Sequence, residues 1–183
     1  RSNLYINSSF VINCNGGVSM STIKVNNLLD TSGNVLSRVL QHVYAHTDAV
    51  SQLDPGDTIT QLNCAITPSS TSSKILVMAT ICCSATGAAD LGYDIQRDST
   101  ALQKGASASG SPGSVTHAVF ANMGSDNVIP GTCILLDDEI STTNEVTYKI
   151  IARPNSGKKL VLNKRHQDEA IKSQSRMIVM EIP

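Results

Sequence analysis

The longest apolar run of the sequence reads Lys74-Ile75-Leu76-Val77-Met78-Ala79-Thr80-Ile81-Cys82-Cys83. It is too short to cross a bilayer as a helix. Turn-forming residues enclose it, with Thr67-Pro68-Ser69-Ser70-Thr71-Ser72-Ser73 before it and Ser84, Thr86 and Gly87 after it. A run bounded in this way predicts a buried strand. Because strand side chains alternate between two faces, residues 75, 77, 79, 81 and 83 share one face and residues 76, 78, 80 and 82 share the other. Both faces are apolar, which predicts a strand inside a packed sheet, or one whose outer face meets another subunit.

Strands and turns alternate along the rest of the chain, and no amphipathic helix of ordinary length is needed to explain the pattern. We predict strands from about Val39 to residue 53 and over residues 58–67, 91–98, 115–123, 131–137, 144–153, 159–163 and 175–182. Pro154-Asn155-Ser156-Gly157 predicts a hairpin between the sixth and seventh of these. The last strand is apolar on both faces, so it belongs in a sheet interior or at a subunit contact. Short strands at this spacing predict an all-β antiparallel sandwich or barrel.

Composition narrows the range of partners. Charged residues make up 16% of the chain and the net charge is −1, so there is no basic surplus to indicate nucleic acid binding. The sequence contains no transmembrane segment, and no membrane insertion is expected. Four of the five cysteines lie in apolar runs, where a free thiol behaves as a small hydrophobe. Free thiols indicate assembly in a reducing cytoplasm.

The sequence offers few candidates for catalysis or metal binding. His42 and His46 share one face of the predicted strand, but no further ligand at metal spacing follows them. His117 lies on an apolar strand face and is expected to be an interior residue. Asp137-Asp138-Glu139 reads as a solvated acidic turn without the alternating ligands of a calcium loop. No nucleophile elbow or phosphate-binding glycine loop is present, so we expect neither an enzyme nor a cofactor.

One basic cluster stands out. Lys158 and Lys159 are at the start of the seventh predicted strand, and Lys164 and Arg165 directly follow its end. A solvated hairpin explains such a cluster. The functional alternative is contact with an acidic partner, such as a capsid shell or an anionic glycan of the host surface.

Several stretches, in order along the chain, carry a family resemblance. They are Met20-Ser21-Thr22-Ile23-Lys24-Val25-Asn26, Ile66-Thr67-Pro68-Ser69-Ser70-Thr71-Ser72-Ser73-Lys74-Ile75-Leu76-Val77, Arg97-Asp98-Ser99-Thr100-Ala101-Leu102, Val146-Thr147-Tyr148-Lys149-Ile150 and Ile178-Val179-Met180-Glu181-Ile182. Residues 20–182 thereby resemble small head domains of tail-fibre and other virion proteins of tailed phages, especially marine and cyanobacterial ones. The resemblance implies a jelly-roll-like sandwich similar to trimeric tumour-necrosis-factor-like heads, and a place on the virus particle.

Together these observations predict a short docking arm over residues 1–37 and a β-sandwich head over residues 38–183. The arm would contact capsid or tail proteins through Ile23, Val25, Leu28 and Leu29. A homotrimer would form through the doubly apolar strands, with the predicted interface residues Ile75, Leu76, Val77, Met78, Met177 and Val179. The module would be a short fibre or spike that meets a host receptor, or a capsid decoration. The alternative is a carbohydrate-binding or carbohydrate-cleaving domain on the same scaffold.

Overall fold

The computed structural model describes residues 39–106, 109, 113–123, 127–155 and 157–183. Within these ranges the chain forms β-strands and one turn of 3-10 helix, Thr60–Leu62. The strands are β1 (Gln41–Thr47), β2 (Ser51–Leu53), β3 (Cys64–Ile66), β4 (Lys74–Ala85), β5 (Ala89–Arg97), β6 (Thr100–Ala101), β7 (His117–Met123), β8 (Ile129–Asp137), β9 (Val146–Pro154), β10 (Leu160–Leu162) and β11 (Ser175–Ile182).

The strands pair into two antiparallel sheets. In the first sheet the long strands lie in the order β1, β11, β4, β8, and the short strands β10 and β2 extend it beyond the end of β11. In the second sheet the order is β3, β9, β5, with β7 and β6 pairing to successive parts of β5. The eight principal strands are β1, β3, β4, β5, β7, β8, β9 and β11. When they are numbered 1 to 8 along the chain, the strand order is 1-8-3-6 in the first sheet and 2-7-4-5 in the second sheet. This order is that of a jelly roll, and the predicted jelly-roll-like β-sandwich is confirmed.

The predicted central strand lies in the interior of the first sheet. β4 pairs with β11 on one side and with β8 on the other. Ile75, Val77 and Ile81 face the second sheet and are fully buried. They pack in one core cluster with Tyr93 and Ile150 of the second sheet. Each such side chain contributes about 1.5–3 kcal/mol on burial, so the alternation along β4 explains what this strand contributes to the core.

The Pro/Ser stretch before β4 is held by a buried carboxylate. Glu181, near the end of β11, is fully buried and accepts hydrogen bonds from the Ser69 backbone N–H at 2.7 Å, the Ser73 hydroxyl at 2.5 Å and the Gln41 amide at 2.6 Å. Burial raises the pKa of Glu181, but these hydrogen bonds outweigh it and leave the pKa below its usual value. The hydroxyl-rich composition of this loop is therefore explained by the charge that it covers.

Asp137 is not part of a solvated turn, which corrects the sequence-based interpretation. It is the last residue of β8, and its side chain points into the sandwich. The Arg97 guanidinium donates to both of its oxygens, at 2.8 and 2.7 Å, and the Tyr148 hydroxyl donates at 2.7 Å. A buried carboxylate needs such donors, and only Asp138 and Glu139 remain exposed in this acidic stretch.

The predicted strand over residues 58–67 is interrupted. Ile59 donates a backbone hydrogen bond to Ile150 of β9, and a 3-10 turn then separates this contact from β3, which pairs farther along β9. The alternation was still informative, because Leu62, Cys64 and Ile66 are all buried as expected for one face.

The hairpin predicted at residues 154–157 is wrong. β9 belongs to the second sheet, whereas β10 pairs with β4 and β2 of the first sheet. The connection therefore crosses between sheets. The physical reason is that β11 pairs with β4 only as far as Thr80, so the last residues of β4 are open to β10, which pairs Leu160 with Ala85.

Candidate interaction surface

The two sheets differ in what lies over their outer faces. On the second sheet, the outward-pointing Asp94 and Ile151 are both buried, and the Thr116 N–H and the Arg153 side chain donate to Asp94. Gly92 is covered by Val115, whose side chain would lie only 3.0 Å from an added Cβ. On the first sheet, large apolar side chains of the outer face are exposed in the described part of the chain. This outer face of the first sheet is the candidate interaction surface.

The register of the strands defines three rows across this outer face. Listed in the order β1, β11, β4, β8, the first row holds His42, Met180, Leu76 and Leu136; the second row holds Tyr44, Ile178, Met78 and Ile134; the third row holds His46, Arg176, Thr80 and Thr132. The positions between these rows point inward and include the buried Val77 and Val179. Seven of the eight side chains in the first and second rows are therefore apolar.

The second row has its most exposed members at its two ends. Tyr44 on β1 is 50% exposed and Ile134 on β8 is 65% exposed, whereas Ile178 and Met78 between them are half-buried by their neighbours. The Tyr44 ring stacks on the His46 imidazole with ring centroids 5.3 Å apart. Exposed apolar side chains of this size on one sheet face are a feature of contact surfaces.

The third row is polar and unevenly charged. Arg176 and His46 lie on the β1–β11 half, while Thr80 and Thr132 lie on the β4–β8 half and share a hydrogen bond of 3.1 Å between their hydroxyls. Arg176 is exposed and forms no ion pair with any described residue. The cationic half and the hydroxyl half of the row are therefore chemically distinct.

The structure corrects the interface prediction for four of its six residues. Ile75, Val77, Met177 and Val179 are fully buried in the core of a single chain, because their side of β4 and β11 faces the second sheet. They have no surface to offer to another copy. Leu76 and Met78 do lie on the outer face and keep their place among the candidates. Their role in an interface stays a prediction.

Other members of the outer face were not singled out from the sequence. Ile178 and Met180 are on the predicted last strand, and Ile134 and Leu136 are on β8. The alternation of residues along those strands was the signal that could have grouped them. Tyr44 lies between His42 and His46 on one face of β1, and no apolar periodicity along that face distinguishes it as a contact residue.

The predicted docking residues Ile23, Val25, Leu28 and Leu29 lie outside the described residues. Their contact with a virion therefore stays a prediction. The described chain begins at Val39, close to the end of the sandwich where β1 and β4 start.

The basic residues lie at the opposite end of the sandwich, and three of the four are paired. Lys159 bonds Asp54 at 2.8 Å, Lys164 lies 3.4 Å from Glu169, and Arg165 forms two bonds with Asp168. The bond to Asp54 raises the pKa of Lys159, and the Ala170 N–H together with Arg165 lowers the pKa of Asp168. These exposed pairs are solvated and contribute little to stability. Lys158 has no ion-pair partner among the described residues.

The four described cysteines, Cys64, Cys82, Cys83 and Cys133, are free. Burial raises the pKa of Cys64 to about 11 and that of Cys83 to about 12, with a further contribution from Cys82. Cys82 is half-buried and points to the outer face, beyond the third row. Among the described residues there is no group of three or more potential metal ligands. None of the described helical structure is long and apolar enough to pass through a membrane.

Comparison with known proteins gives a distant structural likeness. No family model matches the chain, and no curated protein matches it. Among solved structures, the chain is similar to one of the Gt strain of infectious bursal disease virus, with 15% identity and a TM-score of 0.33 over 92% of this chain and 44% of that one. It is also similar to a structure of T=1 particles derived from infectious bursal virus, with 18% identity and a TM-score of 0.32 over 87% of this chain and 40% of that one. The chain thus spans less than half the length of these structural neighbours.

Proposed function

We propose that this chain is a virion structural protein of a tailed phage. In this proposal it is a jelly-roll module that forms a homotrimer, is anchored to capsid or tail proteins by residues 1–37, and acts as a short fibre, spike or capsid decoration. The jelly roll recurs in viral capsid domains and in lectins, and a fold alone does not decide between such functions. The outer face of the first sheet is the feature that favours a virion structural role.

The apolar first and second rows are the observation that carries the proposal. A sheet that packs on the core with one face presents polar residues to water on the other. Here the central residues of the exposed side are Leu76, Met78, Ile178 and Met180 instead. A contiguous apolar area of this kind on a soluble domain marks a binding surface. A closed ring of identical copies covers such a surface and ends growth at a fixed size.

The positions of Val39 and of the basic loops support an anchored module. Val39, where the described chain begins, and the basic loops that contain Lys158 and Arg165 are at opposite ends of the sandwich. An arm that leaves from one end would bind the particle there. The loops at the other end would then point away from the attachment point and remain open to a receptor or an acidic partner.

Sedimentation analysis of the full chain tests the assembly. Three copies of the 19.4 kDa chain give about 58 kDa. We expect this mass for the native protein and for the control Ser141→Lys, which adds a charge on an exposed loop. We expect a monomer for Ile134→Lys, because the added charge would lie in the covered second row. A native protein that stays monomeric at micromolar concentration contradicts the proposal.

Locating the chain in a reconstruction of the intact particle separates the two virion roles. Density at capsid three-fold positions would identify a decoration protein. Density at the tail, or projecting from a vertex, would identify a fibre or spike.

A carbohydrate-binding domain is the second candidate, and Tyr44 is the observation that favours it. Its ring is half exposed and flanked by the His46 imidazole, and an exposed aromatic face is what sugar stacking needs. Tyr93 and Tyr148 are buried and provide no such face. Glycan-array binding that is lost in Tyr44→Ala would support this function. Binding that is unchanged in that variant would oppose it.

A further inference from the structure

We infer that the assembly joins unlike halves of the outer face. The β1–β11 half of one copy packs on the β4–β8 half of the next copy, and Tyr44 of one chain contacts Ile134 of the other. This inference rests on the proposed self-assembly and specifies the residues that meet.

The two ends of the second row carry large exposed side chains. Tyr44 and Ile134 are on the outermost strands of the face, three strand spacings apart, and are therefore separated by about 14 Å within one chain. Neither can cover the other in the same subunit. Each is a large apolar side chain that is at least half exposed. When two copies meet with unlike halves in contact, these two side chains cover each other.

The third row carries the charge of Arg176 on one of its two halves. Contact between two β1–β11 halves would bring Arg176 of one copy next to Arg176 of another, and like charges in contact weaken an interface. Contact between unlike halves places Arg176 beside Thr80 and Thr132, whose hydroxyl oxygens can accept hydrogen bonds. The charge distribution thus favours unlike halves.

Rotational symmetry is compatible with contact between unlike halves. A rotation axis parallel to the strands keeps each row at the same height, so apolar rows meet apolar rows and the polar row meets its equivalent. Three copies around such an axis close a ring in which each β1 edge meets a β8 edge. The four strands and three rows cover about 19 Å by about 20 Å, or about 400 Å² in projection. Each contact uses one half of this face on each partner, about 200 Å² in projection, which is about a quarter of what each partner in a stable complex buries, so the contact extends beyond the rows to the polar margins.

Disulfide trapping tests the contact directly. Tyr44→Cys and Ile134→Cys are introduced together in a background that carries Cys14→Ser and Cys82→Ser. The two new thiols are too far apart to bridge within one chain. After mild oxidation of the assembled protein, we expect a denaturing, non-reducing gel to show a ladder that ends at the covalent trimer. The matched controls are the two single cysteine variants, which should remain monomeric on the gel, and their mixture, which should stop at the dimer.

The outcomes separate this inference from the proposed function. A trimer by sedimentation that yields no cross-link overturns the inference and leaves the trimer intact. Efficient self-linking of Ile134→Cys alone shows that like halves meet, and also overturns it. A ladder that ends at the dimer supports the contact but contradicts the trimer. A monomer overturns both.

Discussion

Asn163 lies where four strands of the first sheet come together, just after β10, and it is fully buried. Its side-chain amide donates to the Thr47 carbonyl at 2.8 Å and to the Ala49 carbonyl at 3.0 Å, and its Oδ1 accepts from the Ser175 hydroxyl at 2.7 Å. Its φ of 61° is in the left-handed region, which Asn and Asp adopt more readily than other non-glycine residues. One side chain thus connects the bend after β1 to the start of β11.

The substitution Asn163→Asp keeps the shape and the left-handed tolerance but removes both N–H donors. Two lost hydrogen bonds at about 1 kcal/mol each, plus about 1–2 kcal/mol for leaving the two carbonyls without a donor, predict about 3–4 kcal/mol of destabilisation at pH 7. That is a large share of the 5–15 kcal/mol typical of a domain. Burial and the facing carbonyls would raise the pKa of the new carboxyl in the folded state. The loss of unfolding free energy caused by Asn163→Asp should therefore increase as pH rises toward the pKa of this carboxyl in the folded state, and it should be smaller near pH 4.

Urea unfolding followed by circular dichroism measures this effect, since the chain has no tryptophan. With a slope of about 2 kcal/mol per molar urea, we expect the midpoint to fall by about 1.5–2 M. All proteins are compared at one concentration, because unfolding of an assembled chain depends on concentration. The control is Asn144→Asp on an exposed loop, where we expect less than about 0.5 kcal/mol. Midpoints within 0.3 M of each other for the two variants would refute the reasoning, as would a penalty that does not change with pH.

Three further predictions follow from other buried groups. The pKa of Glu181 is below its usual 4.5, so its ionised form stabilises the fold above that pH, and this stability is lost as pH falls through the folded pKa. In urea unfolding, the difference in unfolding free energy between native protein and Glu181→Gln should therefore be largest at neutral pH and should diminish below pH 4.5. Gly92→Ala should destabilise the fold by about 1–3 kcal/mol in thermal and urea unfolding, because its Cβ would lie 2.9 Å from a backbone oxygen. The control Gly105→Ala, whose Cβ would have its nearest neighbour 3.8 Å away, should change the stability little, and equal effects of the two substitutions would contradict the packing argument. In a Cys14→Ser background, Cys82 should be the first thiol to react with a disulfide reagent at pH 8, and labelling of the other three before unfolding would show that burial does not protect them.

The sequence predicted where strands lie better than which of their faces is inside. Alternation along β4 correctly separated Ile75 and Val77 from Leu76 and Met78. Both sets are apolar, so hydrophobicity alone could not choose the face that meets the second sheet. The face of β4 that is buried depends on the side of the first sheet on which the connections of the chain place the strands of the second sheet. The interface prediction mixed the two faces for this reason.

Long-range partners account for most of the remaining differences. A turn signal such as the one at residues 154–157 specifies a change of direction, but it does not specify whether the next strand returns to the same sheet. The buried Asp137 has its two partners 40 and 11 residues away. No local pattern could have identified Arg97 and Tyr148 as its donors, and the charged sequence around it favoured the interpretation as a solvated turn.

The contrast between the two sheets gives the assembly proposal its physical basis. The chain covers part of the second sheet with its own segment, which places Val115 over Gly92 and the Thr116 N–H against Asp94. It leaves exposed side chains on the first sheet, whose first and second rows are almost entirely apolar. The same strands carry Arg176 and Thr80 one row away, so β-structure at these positions does not require apolar side chains. Folding of a single copy gains little from Tyr44 or Ile134, which are at least half exposed in it. Their burial contributes free energy only when another surface covers them, and the unlike halves of the same face provide such a surface.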